Sequence, residues 1–353
     1  MKKHEIYNEI LKMQGFWSNK GPNSDVVISS RIRLARNMNN ISFHNKLEDS
    51  EIKILYDSLE KFLIESKYAQ DSTLIDLNDI TGDEKRLLRE RNIITSEMEN
   101  SKYSGVIINN TNEFTILVNE EDNIRIQVIK PGLQLLEVYR IADNIDDEVN
   151  KYIPYAFSDQ LGYLTACPSN LGTGMRASVL LHLPVLALNK KIAKISSDLK
   201  DAGVEIKGTL PDNLGSHGNI YQISNRVSLG YSEIDIIDFL DDHVNRIISF
   251  EDKERDAVLS KNRIDLEDKI HRSFDLLTHA KKLSYVEAMD NLSNVRLGIV
   301  LAIIKNNELQ QINDIMVNIQ QSHLLGMYKS VFKNTDESDV YRAGYIKNKI
   351  YLR

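Results

Sequence analysis

The stretch VVISSRIRLARN, residues 26–37, sets the expectation for the fold. In it Ile32 and Leu34 alternate with Arg31 and Arg33, and this two-residue period is that of a β-strand with one buried face. The opposite face of the strand would be lined by guanidinium groups. The sequence therefore predicts a strand that packs on a hydrophobic core and carries closely spaced cations on its other side.

The residues around this strand indicate a mixed α and β region. Residues 50–66 have the apolar spacing of an amphipathic helix, and residues 83–94 predict a more charged one. Residues 105–129 contain three β-rich runs separated by Asn-rich and acidic turns, the pattern of an antiparallel meander. The apolar run RASVLLHLPVLAL, residues 176–188, is predicted to begin a buried helix, and residues 218–230 contain another strand.

The sequence after Gly230 predicts an all-helical region. Residues 231–297 contain no glycine, and Ser232 and Asp235 form a helix cap before apolar side chains at helical spacing. The side chains expected on the buried face of this first helix are Ile234, Ile237, Val244, Ile247 and Ile248. Further helices are predicted at about 263–281, 284–304 and 308–321. The expected fold class is α+β: an antiparallel β-sheet flanked by helices, followed by an all-α C-terminal domain.

Composition and charge exclude several classes of protein. The chain has 353 residues, of which 42% are hydrophobic, so it can fill a substantial core. A net charge of −7 argues against a general binder of nucleic acids or anionic membranes. A single cysteine excludes an intrachain disulfide, and the polar N-terminal residues do not resemble a secretory signal, so a cytoplasmic location is expected. No apolar run approaches the roughly 20 residues that cross a bilayer.

Five arginines lie in strand or loop segments whose neighbours are apolar: Arg31, Arg33, Arg36, Arg125 and Arg176. Each taken alone is most simply explained by a nearby carboxylate partner. Several in one cleft would repel one another unless a polyanion filled it, and a nucleoside triphosphate is the obvious polyanion.

The acidic turn Asn119-Glu120-Glu121-Asp122 lies between two predicted strands, with Arg125 close behind it. Most such turns are solvated hairpin tips. If this one faces the arginine-lined cleft, one glutamate could hold a substrate cation, and a guanidinium with its fork of N–H donors is a natural ligand for carboxylates.

The loop CPSNLGTGMRAS, residues 167–178, contains the single cysteine and two closely spaced glycines. The chain has no GxxxxGK[ST] motif, and Gly172-Thr173-Gly174 does not continue to GxGxxG. A phosphate site here would therefore be built differently from the standard phosphate loops. The eight histidines show no HExxH spacing, so no metal site is predicted in the chain.

Four segments together resemble successive motifs of the ATP:guanidino phosphotransferases, the family of creatine and arginine kinases. They are VISSRIRLARN, VNEEDNIR, GYLTACPSNLGTGMRASVLLHLP and GNIYQISNRVSLG, and they follow the family's order between about residues 26 and 250. Four long motifs in order are far more specific than a lone glycine pattern. The resemblance implies ATP and Mg²⁺ as cofactors and phosphoryl transfer to a guanidinium group.

The arrangement of domains resembles the bacterial protein-arginine kinase branch, because the helical mass follows the catalytic region instead of preceding it. We expect an N-terminal extension at 1–25, a catalytic domain at 26–250 and a helical domain at 251–353. This branch implies phosphorylation of arginine side chains in proteins, which marks them for Clp-type proteolysis in stress responses. It also implies a homodimer formed through the helical domain, a zinc-binding activator protein and a Clp ATPase as partners.

The resemblance assigns roles to individual residues. Glu121 would orient the guanidinium and act as general base, with Asp212 as a second carboxylate, and Cys167, beside Ser169, matches the reactive cysteine. Asp339 and Arg342, in SDVYRA, match a phosphoarginine-sensing motif in which Ser338 replaces an expected arginine. The residues expected to bind the nucleotide are Ser29, Ser30, Arg31, Ile32, Arg33, Asn92, Arg125, Arg176, Ala177, Ser178, Val179, Leu180, Lys207, Gly208, Thr209, Leu210 and Pro211.

The sequence departs from the family pattern at several of these positions. The mobile loop of the family, with RG and then GE, is replaced by KGTLPD at residues 207–212, and lysine lacks the bidentate fork of arginine. Asn92 and Asn123 stand where histidines are usual. Two alternatives therefore stay open: a kinase of small guanidino compounds, disfavoured by the position of the helical region, and a catalytically weak protein that binds phosphoarginine or a partner.

Overall fold

The computed structural model describes residues 10–11, 15, 18–43, 46–109, 114–209, 215–305, 307–328, 332 and 334–350. Its centre is an eight-stranded antiparallel sheet with the order β2-β3-β4-β5-β1-β8-β10-β9, and β6 and β7 form a separate hairpin. The strands are β1 Val27–Arg36, β2 Ser72–Asp76, β3 Gly105–Asn109, β4 Phe114–Val118, β5 Ile124–Pro131, β6 Phe157–Ser158, β7 Gly162–Tyr163, β8 Met175–His182, β9 Val204–Lys207 and β10 Ile220–Asn225.

Helices pack on both faces of the sheet and form the C-terminal part of the described chain. They are α1 Asp49–Glu65, α2 Gly82–Glu90, α3 Leu135–Asn150, α4 Pro184–Leu188, α5 Ile192–Asp201, α6 Glu233–Lys261, α7 Arg263–His279, α8 Tyr285–Val300, α9 Leu309–Asn318, α10 Gln321–Tyr328 and α11 Thr335–Ile350. The helices α1, α3 and α6 pack on one face of the sheet, and α2 packs on the other face beside β2, β3 and β4. None of the helices in the described residues is long and apolar enough to span a bilayer. The predicted α+β class is confirmed.

The strand β1 lies at the centre of the sheet, paired with β5 on one side and β8 on the other. Ile32 and Leu34 are fully buried and pack in one core with side chains of α3 and α6, such as Val138 and Leu240. The strand predicted from the alternating pattern is confirmed, as is the meander β3-β4-β5. Because successive side chains alternate, Arg31 and Arg33 lie on the face opposite this core.

The prediction of a buried helix at residues 176–188 is wrong. Met175–His182 forms β8, and the helix begins only at Pro184, whose missing N–H is tolerated at the first helical position. β8 lies between β1 and β10 and is buried along most of its length. An apolar run of this kind has the same composition in a central strand as in a buried helix, so its periodicity does not separate the two.

The helical region has a hydrophobic core of its own. Leu266, Ile270, Leu292 and Val295 of α7 and α8 pack there with side chains of α9 and α11. The predicted helix near 308–321 is present as α9, Leu309–Asn318, and α10, Gln321–Tyr328, follows it.

The first helix of this region begins as predicted, with a capping box between Ser232 and Asp235. Its residue Ile234 is 44% exposed and so is not on the buried face as predicted. The predicted boundary at residue 250 lies inside the continuous helix α6, whose early apolar residues pack on the core of the sheet. The domain division stays a prediction.

A buried polar cluster joins the helical region to the end of β8. The guanidinium of Arg296 donates from Nη1 to Nδ1 of His182 (2.9 Å) and from Nη2 to the carbonyl of Ser24 (2.8 Å). The other ring nitrogen of His182 lies 2.8 Å from Oγ of Ser293. Burial and the positive charge of Arg296 lower the pKa of His182 well below its usual range, so this histidine is neutral.

Candidate active site

Three central strands bring four arginines to one face of the sheet. In the strand register Arg33 lies opposite Arg176 of β8, and Ala35, on the same face as Arg31 and Arg33, lies opposite Arg125 of β5. Paired residues of neighbouring strands project from the same face. Burial, together with the charges of Arg176 and Arg125, lowers the pKa of Arg31 to about 10. The arginines are therefore close enough to repel one another.

Arg36 is the exception among the five arginines singled out from the sequence. It projects from the core face, where Nε and Nη2 donate to Oδ2 of Asp146 (3.0 and 2.7 Å) and the guanidinium stacks on the ring of Tyr163 at 3.5 Å. The simple explanation, a carboxylate partner, is correct for this residue. Arg36 stabilises the fold and does not face the cleft.

The four cleft arginines differ in their partners, and Arg125 is paired with the carboxylates of Glu120 and Glu121. Arg176 donates to Glu205 (2.9 Å) and Ser224 (3.0 Å), while Arg31 donates to the neutral side chains of Ser178 (3.2 Å) and Gln222 (2.7 Å).

Within the described part of the chain, the buried Nε atoms of Arg33 and Arg176 have no hydrogen-bond partner. Burial, and then the neighbouring arginines, lower the pKa of Arg33 well below its usual value. The guanidinium groups of Arg33 and Arg176, which line a common cavity, fit the oxygens of a phosphate chain.

The acidic turn faces this arginine cluster. Oε2 of Glu121 lies 3.2 Å from Nη2 of Arg125, and its side chain is 45% exposed toward the cavity. The side chain of Glu120 is only 6% exposed; it contacts Nη1 of Arg125 at 2.7 Å and accepts a hydrogen bond from Thr95 at 3.0 Å. Glu120 therefore holds Arg125 in place, while the half-exposed carboxylate of Glu121, although paired with Arg125, is accessible to a ligand.

Two residues that the sequence reasoning missed fix the position of this turn. Oδ1 of Asp122 accepts hydrogen bonds from Nδ2 of Asn37 and from the backbone N–H of Ala166, both at 2.7 Å. Oδ1 of Asn37 accepts from the N–H of Asn123 (2.8 Å), whose own amide oxygen accepts from the N–H of Met38 (3.0 Å). Burial raises the pKa of Asp122. Asn37 directly follows the arginine strand, and Asp122 completes the acidic run. Their positions beside these two motifs were the signal from which the sequence could have identified them.

The carboxylate and the arginines line one cavity of about 160 Å³. Its walls are formed by Arg33, Ala35, Glu121, Arg125, Ser169, Asn170, Gly174 and Arg176. A smaller hollow of about 40 Å³ continues along β1 and is lined by Ser29, Arg31, Asn92, Ile129, Ser178, Leu180 and Gln222. The structure thus brings Glu121 into the same hollow as three of the predicted phosphate ligands. Gln222 carries no motif signal and was missed.

Other residues expected at the nucleotide lie elsewhere. Ile32, Ala177 and Val179 are fully buried on the core face of their strands, so their side chains do not line either cavity. The hydroxyl of Ser30 is also buried and donates to the carbonyl of Gly132 at 2.8 Å. A run of consecutive strand residues cannot all face one ligand, because their side chains alternate between the two faces.

The loop at 167–174 owes its glycines to close backbone packing. Gly174 has φ +63°, and a Cβ there would lie 2.6 Å from the carbonyl oxygen of Ala35. Gly172 has φ +97° and packs on the backbone of Leu229. Sγ of Cys167 lies 3.0 Å from Oγ of Ser169, as the pattern suggested, and Ser169 rather than the cysteine lines the cavity.

The segment after β9 is described only in part. Nζ of Lys207 lies 3.1 Å from Glu205, and Thr209 accepts a hydrogen bond from the N–H of His217 (2.8 Å), while Gly208 lies between them. The remaining predicted residues of this loop, Leu210, Pro211 and Asp212, lie outside the described residues.

The predicted sensing residues lie on α11 in the helical region. The guanidinium of Arg342 is buried and donates to the carbonyls of Ile319 and Leu283, both at 3.0 Å, and to the carboxylate of Asp339. Among the residues that the structure describes, no group of three or more His, Cys, Asp or Glu side chains could hold a metal ion.

Comparisons with known proteins agree with this geometry. Residues 54–254 match the model of the ATP:guanido phosphotransferase C-terminal catalytic domain, and residues 263–352 match the protein-arginine kinase McsB C-terminal domain. The chain is 36% identical over 342 residues to the protein-arginine kinase of Bacillus subtilis (strain 168), covering 96% of this chain and 94% of that protein. It is 38% identical over 331 residues to that of Clostridium acetobutylicum, covering 93% and 96%.

Solved structures of guanidino kinases share the fold. Lombricine kinase aligns with a TM-score of 0.57 at 25% identity, over 69% of this chain and 70% of that one. The duplicated taurocyamine kinase of Schistosoma mansoni aligns with a TM-score of 0.58 at 26% identity, over 68% of this chain and 36% of that longer chain. The chain therefore belongs to the ATP:guanido phosphotransferase family and, within it, to the protein-arginine kinases.

Proposed function

We propose that this protein transfers the γ-phosphate of ATP to arginine side chains of proteins. The observation that carries the proposal is the shared cavity, which is lined by Glu121 together with Arg33, Arg125 and Arg176. A polyanion at the arginines and a cation at the carboxylate are the two charged reactants of this transfer. The cavity holds their reacting ends next to each other.

The nucleotide would lie along β1. Ser29, Arg31 and Arg33 are two residues apart on one face, so they span roughly 13 Å at about 3.3 Å per residue. We place the terminal phosphates at Arg33, Arg125 and Arg176, and the rest of the nucleotide toward the smaller hollow. Mg²⁺, when bound to the nucleotide, would neutralise charge on the phosphate oxygens.

In the reaction, one guanidinium nitrogen of the acceptor attacks the γ-phosphorus and the bond to the ADP oxygen breaks. The attacking nitrogen gives up a proton, which Glu121 accepts as general base. The arginines are held on paired strands, so they need no reorganisation to stabilise the charge on the transferred group. Lys207, Gly208 and Thr209 would add to the phosphate site, with Leu210 and Pro211, and Asp212 would supply a second carboxylate.

The proposal extends to roles that rest on family resemblance. Cys167 would be the reactive cysteine beside the cavity, and Asp339 and Arg342 would bind phosphoarginine. Since Arg342 already donates to two carbonyls, such a ligand would have to compete with them. We also propose a cytoplasmic homodimer that acts in stress responses with a zinc-binding activator protein and delivers phosphorylated substrates to a Clp ATPase.

The test is incubation of the purified protein with ATP, Mg²⁺ and an arginine-rich protein, followed by detection of acid-labile phosphoarginine by ³¹P NMR and mass spectrometry. Free arginine serves as the competing acceptor, and the Glu121→Gln variant serves as the control for contaminating kinases. Phosphoarginine in the protein, absent with the variant, is the expected result. Phosphorylation of free arginine alone would instead identify a small-molecule kinase. If neither acceptor were phosphorylated, the protein would be a catalytically weak one that binds phosphoarginine or a partner.

A further inference from the structure

Exposed apolar side chains lie on two segments that contact the 167–174 loop, part of which lines the cavity. Phe157 and Leu161 lie in the β6–β7 hairpin, and Val227, Leu229 and Tyr231 lie in the segment between β10 and α6; each is 43–59% exposed. We call these five residues the apolar rim. Single exposed apolar residues are ordinary, but a contiguous group marks a surface that another molecule covers.

The two halves of the apolar rim meet at one glycine. The carbonyl of Leu161 accepts a hydrogen bond from the N–H of Gly172 at 2.9 Å. On its other side Gly172 lies against Leu229, whose Cα would be 2.7 Å from a Cβ at the glycine. Leu161 and Leu229 therefore flank the same residue, and the two segments of the rim, which are distant in sequence, meet there.

The apolar rim is also connected to the cavity wall. The hydroxyl of Ser228, between two rim residues, donates to the carbonyl of Leu171 at 2.7 Å and lies 3.3 Å from that of Ser169. Ser169 and Asn170 line the cavity that contains Glu121. A polypeptide whose arginine enters this cavity past the loop must therefore run close to the rim.

The length of an arginine side chain brings its neighbours to this surface. Five bonds of about 1.5 Å separate Cα from the guanidinium carbon, so Cα stays within roughly 6 Å of the reacting group. Each adjacent residue extends at most about 3.6 Å further. The flanking residues of the acceptor must therefore cross the border of the cavity. The charged residues interspersed with the rim, Asp159 and Arg226, have opposite signs and give it no net charge.

Resting on the proposed function, we propose that the apolar rim binds the residues that flank the target arginine. It selects polypeptide segments that carry an aliphatic or aromatic side chain within two positions of that arginine. The occupant is thus an extended segment of a protein substrate, and not a free guanidino compound, which has no flanking residues to bury. Burial of apolar surface supplies the preference.

Two disordered polypeptides of about 30 residues test this inference. Each carries one arginine, flanked at positions −2, −1, +1 and +2 by leucine in one and by serine in the other. We expect kcat/KM for phosphoarginine formation to be about ten-fold higher with leucine, since several half-buried side chains gain contact. The difference should lie mainly in KM, because binding outside the reacting group acts equally on ground and transition states.

Matched variants locate the preference. In Leu229→Ser/Tyr231→Ser, and independently in Phe157→Ser, we expect the leucine-to-serine ratio to fall toward one. The control, Ile64→Ser/Ile264→Ser, removes two side chains that are 82% and 81% exposed on α1 and α7, and should keep the wild-type ratio. Thermal unfolding identifies a variant that fails to fold. The leucine-to-serine ratio of the wild-type protein tests the preference even if every variant fails to fold.

The possible outcomes separate this inference from the proposed function. Equal phosphorylation of the two polypeptides, or a leucine preference that survives in both rim variants, overturns the role of the rim while the kinase assignment stands. Phosphorylation of the arginine-rich protein but of neither polypeptide also overturns it. Loss of self-association in the rim variants without a change of ratio would assign the rim to a second copy of the chain. No phosphoarginine with any acceptor would overturn both proposals.

Discussion

The adjacent carboxylates Glu120 and Glu121 have different surroundings. We expect substitution by glutamine to lower mainly the activity at Glu121 and mainly the stability at Glu120. The change removes one negative charge and keeps the size of the side chain. At Glu121, which is 45% exposed and has one ion pair at 3.2 Å, the free energy of unfolding should change by less than about 1 kcal/mol. Loss of the proposed general base should lower kcat by about 10²- to 10⁴-fold.

The same substitution at Glu120 acts on the fold. Its buried carboxylate contacts Arg125 at 2.7 Å and accepts hydrogen bonds from Thr95 (3.0 Å) and from the N–H of Glu121 (2.8 Å). Removing one partner of a buried ion pair costs about 3–5 kcal/mol when the other charge is left alone. Here Glu121 still compensates Arg125 and glutamine still accepts hydrogen bonds, so we expect a loss of about 2 kcal/mol.

The assay compares both variants with the wild type at saturating ATP and protein substrate, with urea unfolding measured on the same preparations. ATP binding, measured by calorimetry, should persist in Glu121→Gln because the arginines that we propose as phosphate ligands are untouched. The reasoning is refuted if Glu121→Gln keeps kcat within ten-fold of the wild type. It is equally refuted if Glu120→Gln, at unchanged stability, loses more activity than Glu121→Gln.

Three further outcomes follow from named contacts. Glu205→Gln removes the carboxylate that competes for Arg176 and Lys207, so steady-state KM for ATP should fall about two- to five-fold; a rise would contradict this. Cys167→Ala should lower kcat by less than about ten-fold, since nucleophilic chemistry by the thiol is not required. The activity of this variant should resist iodoacetamide, and a thousand-fold loss of kcat on substitution would contradict the prediction. Because His182 is neutral in the fold, the unfolded state alone binds its proton below about pH 6.5. The free energy of unfolding should then fall by up to about 1.4 kcal/mol per pH unit toward pH 5 in urea titrations, and less steeply in His182→Asn.

The sequence predicts the centre of the sheet well because its pattern reflects a simple geometric rule. The alternation at residues 31–34 places the arginines opposite the core, and the meander turns are marked by asparagine and acidic residues. The same rule separates Arg36 from Arg33, since an odd separation places them on opposite faces of a strand. The spacing within β1 is therefore enough to assign Arg36 to the core face.

Other features depend on contacts between distant segments and carry no local signal. The hydrogen bond between Asp122 and Ala166 joins residues 44 positions apart, and Gln222 reaches the smaller hollow because β10 pairs with β8. The run at 176–188 does not reveal its strand because a strand in the middle of a sheet loses its polar alternation. The apolar rim is of the same kind, since its two segments, distant in sequence, meet at Gly172.

The distribution of charge at the cavity explains why a polyanion compensates these arginines better than their present carboxylate partners do. Arg36, on the core face, is fully compensated by Asp146, whereas Arg33 keeps an unpartnered buried donor and lies among three other guanidinium groups. Such repulsion destabilises the empty site, and the hydrophobic core beneath β1 must offset it. A bound triphosphate would relieve that repulsion. The arginine cluster therefore contributes to phosphate affinity. The unfavourable free energy of bringing the guanidinium groups together is offset during folding, so it does not oppose phosphate binding.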